Sequence, residues 1–145
     1  MPQPSSQPRS NPIARYVLGD HLGTGGMGSV YAAYDRLTGA RVALKRVDLT
    51  AKMASPVGSQ DARLALAREF ELAHSLRHPH IVTFLDYGFD ADNQPYYTME
   101  LLQGTETILD AGREQSLGGK VDLLVQMLRA LAYLHHRGIL HRDLK

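Results

Sequence analysis

The chain has 145 residues, the length of one ordinary domain. Lys plus Arg is 16 and Asp plus Glu is 15, a formal charge of +1, which argues against a nucleic-acid-binding surface spread over the whole chain, though not against a local patch. There is no cysteine, so disulfides and cysteine-based metal sites are ruled out, and no apolar run approaches the length of a membrane span.

Residues 1–12 are rich in Pro, Gln and Ser and lack the apolar centre of a signal peptide. They are expected to be a disordered leader, and a cytoplasmic protein is the default. Residues 13–22 read as a first strand with Tyr16-Val17-Leu18 at its centre. A glycine-rich stretch follows, with Gly23, Gly25 and Gly28 at the spacing G-x-G-x-x-G. Glycine has no Cβ and tolerates any backbone angle, so such a loop can lie close over a ligand, most often a phosphate. Alone the pattern also fits a tight hairpin, and the flanking residues decide. A dinucleotide-binding turn would open a helix within the glycines, and a P-loop would continue with Gly-Lys-Ser/Thr. Neither occurs. Ser29-Val30-Tyr31-Ala32-Ala33-Tyr34 is β-branched and aromatic, a second strand. A turn over 35–39 leads to a third strand over 41–48, containing Val42-Ala43-Leu44-Lys45.

Residues 50–60 hold Pro56 and Gly58 and are expected to be a loop. A helix is expected over 61–76. At 100° per residue one face collects Ala62, Ala65, Leu66, Leu72, Ala73 and Leu76, with Glu69 in its middle and Glu71 opposite. A carboxylate on a core-facing stripe is costly unless paired, and Lys45 on the preceding strand is the candidate partner. His78-Pro79 ends the helix. Strands four and five are expected over 81–87 and 95–101, joined by a turn at 90–93, with a short helix somewhere in 105–116. A long helix over 120–137, apolar around much of its circumference, ends at Gly138. The seven histidines show no H-E-x-x-H and no i, i+4 helical pair, and adjacent His135 and His136 point to different helix faces, so no metal site is expected. The chain closes on His141-Arg142-Asp143-Leu144-Lys145.

A glycine loop trailed by Val30, a third strand ending Val42-Ala43-Leu44-Lys45, a helix glutamate and a terminal His-Arg-Asp, in that order, resemble the protein kinase family, serine/threonine type and bacterial-like. The resemblance implies an α+β fold: an N-lobe of five antiparallel strands and one helix over 13–99, a hinge over 100–104, and the start of a C-lobe over 105–145. It implies that Leu22, Gly23, Gly25, Gly28, Val30 and Ala43 contact ATP, and that Lys45, paired with Glu69, holds its phosphates. Met99 becomes the gatekeeper behind the adenine, and Glu100 to Leu102 the hinge whose backbone bonds the adenine edge. Asp143 becomes the residue that accepts or orients the substrate hydroxyl proton, and Lys145 the lysine set against the γ-phosphate. Arg142 resembles the arginine that grips a phosphorylated activation loop, and His141 is structural.

The implied function is transfer of the ATP γ-phosphate to Ser or Thr hydroxyls of a protein substrate, with no nucleic-acid partner and no membrane segment. The family's Mg²⁺ ligands, an Asn and the Asp of Asp-Phe-Gly, would fall beyond Lys145. The resemblance spans about the first half of a kinase domain, so the chain reads as an incomplete domain, inactive by itself. A non-catalytic module that holds a nucleotide or a partner through a kinase-like lobe stays open. A dinucleotide-dependent oxidoreductase is disfavoured by the strand-loop-strand order.

Overall fold

A computed structural model describes residues 14–25, 28–48 and 56–141. The expected leader lies outside them, as do Arg142, Asp143 and Lys145. In chain order the elements are β1 (Tyr16–Gly25), β2 (Gly28–Asp35), β3 (Arg41–Val47), α1 (Pro56–His74), β4 (Phe84–Phe89), β5 (Pro95–Glu100), α2 (Ile108–Arg113) and α3 (Leu117–His136). The strands form one sheet in the order β1-β2-β3-β5-β4, with every neighbouring pair antiparallel. That is the α+β arrangement anticipated, five strands with one helix, α1, packed on them through β4.

Directly opposed residues of neighbouring strands share a sheet face, and each face repeats every second residue. The register therefore sorts the side chains. One face carries Tyr16, Leu18, Ala33, Val42, Leu44 and Tyr96, which pack into the hydrophobic core. Tyr16 and Tyr96 meet edge to face at 5.7 Å, and burial pushes the Tyr16 phenol up to about 12. The other face carries Val30, Ala32, Ala43, Lys45, Tyr97 and Met99.

The turn after β2 is organised by buried Asp35. Its carboxylate accepts from Arg15 Nε at 2.8 Å and Nη2 at 2.7 Å, from the Leu37 N–H at 2.9 Å and from the Thr38 hydroxyl at 2.9 Å. The Arg15 guanidinium holds that carboxyl well below the usual carboxylate range and also pairs with Asp86 on β4. The two ends of the sheet are thereby tied across its core face.

Both long helices start earlier than the sequence suggested. α1 begins at Pro56, inside the stretch read as a loop. Proline breaks a helix interior, but at the first helical position its missing N–H costs nothing and its fixed φ fits. α3 begins at Leu117 because the Ser116 hydroxyl accepts the Gly119 N–H at 3.2 Å, an N-cap that carries the helix through Gly118-Gly119. At its far end Gly138 has φ 72°, donates to the His135 carbonyl at 2.9 Å, and lets Ile139 N–H reach Leu134 O at 3.0 Å. That paired bonding is the left-handed glycine cap expected there. β4 starts at Phe84 rather than 81, because residues 78–81 form a turn closed by Ile81 N–H to His78 O at 3.1 Å.

Candidate nucleotide-binding site

The sheet register brings Gly23, Val30, Ala43, Lys45 and Met99 onto one face. Gly23 lies opposite Val30, Val30 opposite Lys45, and Lys45 opposite Tyr97, so one row crosses β1, β2, β3 and β5. Ala32, Ala43, Met99 and Phe84 form the next row. Ala43 and Met99 are thus cross-strand partners, and Lys45 stands two residues from Ala43 on the same face. Val42 pairs with Glu100, where β5 leaves the sheet. The Glu100 carboxylate turns back to accept the Thr83 N–H at 2.8 Å, and its own N–H donates to the Thr83 carbonyl at 3.0 Å. The side chain is a brace for the strand end, which leaves any ligand role at this position to the backbone. Leu102 follows, about half exposed.

The three glycines are not equivalent. A Cβ added at Gly23 or Gly25 would meet nothing within 4 Å, so their bareness keeps space open. Gly28 has φ 124°, and a Cβ there would lie 1.9 Å from the Arg46 carbonyl oxygen. It is glycine because β3 passes directly beneath it. Leu22 is exposed at the edge of the same hairpin.

Lys45 and Glu69 line one cavity of about 260 Å³, with Val47, Leu66, Phe70, Ala73, Phe84 and Tyr97. Glu71 is not among its walls and is exposed. Of the two glutamates only Glu69 lines this cavity, and no ion pair joins it to Lys45. The Lys45 ammonium lies instead 5.8 Å from the Tyr97 ring centroid, a separation typical of a weak cation–π contact. Glu69 itself is exposed at the cavity rim.

The reason is the phase of α1. Its inward face carries Phe70 together with Leu66 and Ala73, and Phe70 stacks on Tyr87 at 5.1 Å and meets Phe84 edge-on at 6.3 Å. Leu72, by contrast, is 50% exposed. The apolar face is rotated by roughly 60° from the one drawn on the sequence, moving Glu69 from centre to edge. Phe70, Phe84 and Tyr97 were not singled out in the sequence. For Tyr97 the signal was available, since it stands two residues before Met99 on a strand. α3 docks under this assembly through Tyr133, whose hydroxyl accepts the Arg77 N–H at 3.0 Å and whose ring lies 5.1 Å from His78.

The family profile described as "Protein kinase domain" matches residues 16–145. The chain is 41% identical over 136 residues to a probable serine/threonine-protein kinase of Streptomyces coelicolor, covering 90% of this chain and 20% of that protein. It is 35% identical over 133 residues to serine/threonine-protein kinase 33 of Mus musculus, covering 90% of this chain and 26% of that protein. Among solved structures, the Mycobacterium tuberculosis PknI kinase domain superposes with a TM-score of 0.70 at 29% identity, covering 92% of this chain and 53% of that domain. The chain belongs to the protein kinase family. It has the N-lobe, the hinge segment and the first C-lobe helices of that fold, about half the length of the PknI domain and about a fifth of the bacterial relative it matches.

Proposed function

We propose that this chain is the nucleotide-holding part of an ATP-dependent serine/threonine protein kinase, cytoplasmic, with ATP and a protein hydroxyl as its substrates. The observation that carries this is the register. It sets Gly23, Val30, Ala43, Lys45 and Met99 on one sheet face, under a hairpin whose Gly23 and Gly25 leave open space.

An adenine fits the apolar floor of Val30, Ala43 and Met99, with the Glu100 carbonyl and Leu102 backbone at its edge. Leu22 closes over it. Gly23 and Gly25 admit phosphates close to backbone N–H groups, Gly28 fixes the return of the hairpin, and Lys45 meets phosphate oxygens at the inner end. Glu69 serves as the counter-charge that draws Lys45 off Tyr97 when α1 shifts inward. Asp143 orients and accepts the proton of the attacking Ser or Thr hydroxyl, and Lys145 faces the γ-phosphate. Mg²⁺ supplies charge neutralisation of the transferred phosphoryl group in this family. Among the described residues no cluster of carboxylates or histidines is arranged to hold a metal ion, so no step here is assigned to one.

The test uses the intact protein, γ-labelled ATP and a generic serine/threonine peptide. Label is expected on Ser or Thr, and Lys45→Met or Asp143→Asn is expected to lower transfer by more than about a hundredfold. Nucleotide binding without any transfer by the wild-type protein would instead support the non-catalytic module. Transfer undiminished by Lys45→Met would overturn the site.

A further inference from the structure

On the sheet face opposite Lys45, three side chains form a hydrogen-bonded chain across the β1–β2 hairpin. His21 Nε2 lies 2.8 Å from Thr24 Oγ1, and Thr24 Oγ1 lies 3.0 Å from Ser29 Oγ. Thr24 and Ser29 are direct cross-strand partners, one pair inside Gly25 and Gly28. The His21 ring is fixed in turn by edge-on contact with Tyr31 at 5.2 Å.

We propose that His21, Thr24 and Ser29 are positioning residues for the nucleotide: an outer clasp that holds the glycine hairpin in its paired, ligand-ready conformation. The inference rests on the nucleotide reading of the opposite face.

Three features carry it. First, a hairpin with glycine at 23, 25, 26 and 28 has unusually large backbone freedom to lose on closing over a ligand. Second, packing does not supply the missing restraint. A cavity of about 340 Å³ opens beside Thr24 and Ser29, lined also by Tyr31, Arg46 and Gln94, and among the described residues none buries His21 or Thr24, which are both exposed. Third, the chain of bonds survives either histidine tautomer. If Nε2 carries the proton, His21 donates to Thr24 and Thr24 to Ser29; if not, Ser29 donates to Thr24 and Thr24 to His21. The three groups leave the inner face free, so they act through the backbone without touching the nucleotide.

The experiment measures steady-state kinetics of the intact protein with Thr24→Val, Ser29→Ala and the double variant, with thermal unfolding recorded on each. His21→Phe keeps the ring on Tyr31 while removing the bond. Ser29→Ala and His21→Phe are each expected to raise the KM for ATP about threefold to tenfold, the worth of one neutral hydrogen bond, and Thr24→Val, which loses both bonds, at least as much. kcat should change less than twofold and the KM for the peptide should not move. The double variant should be no worse than the poorer single one, because both remove the same bond. Thr24→Ser and Ser29→Thr, which keep the hydroxyls, should restore the wild-type KM. An unchanged KM for ATP in an enzyme still killed by Lys45→Met would overturn the clasp and leave the nucleotide site standing. Equal losses in both KM values and kcat, with lowered thermal stability and no rescue, would make the three residues merely structural and overturn it too. A Lys45→Met enzyme with normal kinetics would instead remove the reading beneath it.

Discussion

Replacing Gly28 by Ala should damage the fold, whereas the same change at Gly23 or Gly25 should damage ligand binding alone. At Gly28 the backbone sits at φ 124°, and a new Cβ would lie 1.9 Å from the Arg46 oxygen, 3.0 Å from its carbonyl carbon and 3.1 Å from Val47 Cα. All three are backbone atoms of β3 and cannot swing aside as a side-chain tip would. Forcing a residue with a Cβ into that region costs about 1–3 kcal/mol. Relieving the contact must also pull apart the Gly28–Val47 and Ser29–Arg46 pairs that begin the β2–β3 ladder, at about 1 kcal/mol for each hydrogen bond lost. A total of about 3–5 kcal/mol lowers the melting temperature of a kinase-sized domain by about 6–20 °C. At Gly23 and Gly25 nothing lies within 4 Å of the added methyl, so the melting temperature should stay within about 2 °C. ATP should then lose its stabilising effect, because the methyl occupies its approach. The assay is thermal unfolding of the three variants with and without ATP. Equal destabilisation by all three, or an unaltered melting temperature for Gly28→Ala, would refute the division of labour.

Phe70→Ala should cost about 3–5 kcal/mol, since Phe70 is buried on the inward face of α1 and touches Phe84 and Tyr87; chemical denaturation of the intact protein reads this, and a loss below 1 kcal/mol would contradict the assigned helix phase. Asp35 has a folded-state pKa depressed by Arg15, so its contribution is fully present above the ordinary carboxylate pKa and is lost as pH falls below about 4. A pH series of unfolding free energies should show this acid-limb loss, and Asp35→Asn should remove most of that slope. Tyr16, buried with its pKa at about 12, should be missing from a native phenol titration near pH 10, and a Tyr16→Phe control identifies its absorbance step. The 145-residue chain alone should transfer no phosphate at a useful rate and should self-associate through the exposed α3 stripe of Leu117, Val121, Leu124 and Leu128. Radiolabel transfer and light scattering, set against a chain long enough to match the whole PknI domain, check both.

Much of this arrangement was legible in the sequence because it depends on period-two strand patterns. Once Val30, Lys45 and Met99 fall on strands, antiparallel pairing leaves little choice about which side chains share a face. Gly138 was legible for a similar reason, as a single backbone requirement at a helix end. Where the reading failed, a competing local interaction decided. Pro56 signalled a loop but starts a helix, and Ser116 overrode two glycines by capping α3. Counting small and aliphatic residues on α1 gave Ala62, Ala65 and Leu72 weight while leaving out Phe70. One aromatic ring outweighs several alanines in buried area, so the helix turned to seat Phe70 and carried Glu69 to the rim. The Lys45–Tyr97 contact and the Asp35–Arg15–Asp86 tie depend on partners far apart in sequence, which no periodicity reports.

The face bearing Lys45 is proposed to hold the phosphates of ATP. An acyl-phosphate derivative of ATP, which acylates a lysine lying against the phosphate chain, tests it on the intact protein with peptide mass spectrometry. Of Lys45, Lys52, Lys120 and Lys145, labelling is predicted at Lys45, with Lys145 as the second acceptor, competed away by free ATP and absent at Lys120 on α3. Labelling spread evenly over the four lysines, or confined to sites other than Lys45 and insensitive to ATP, would contradict the account.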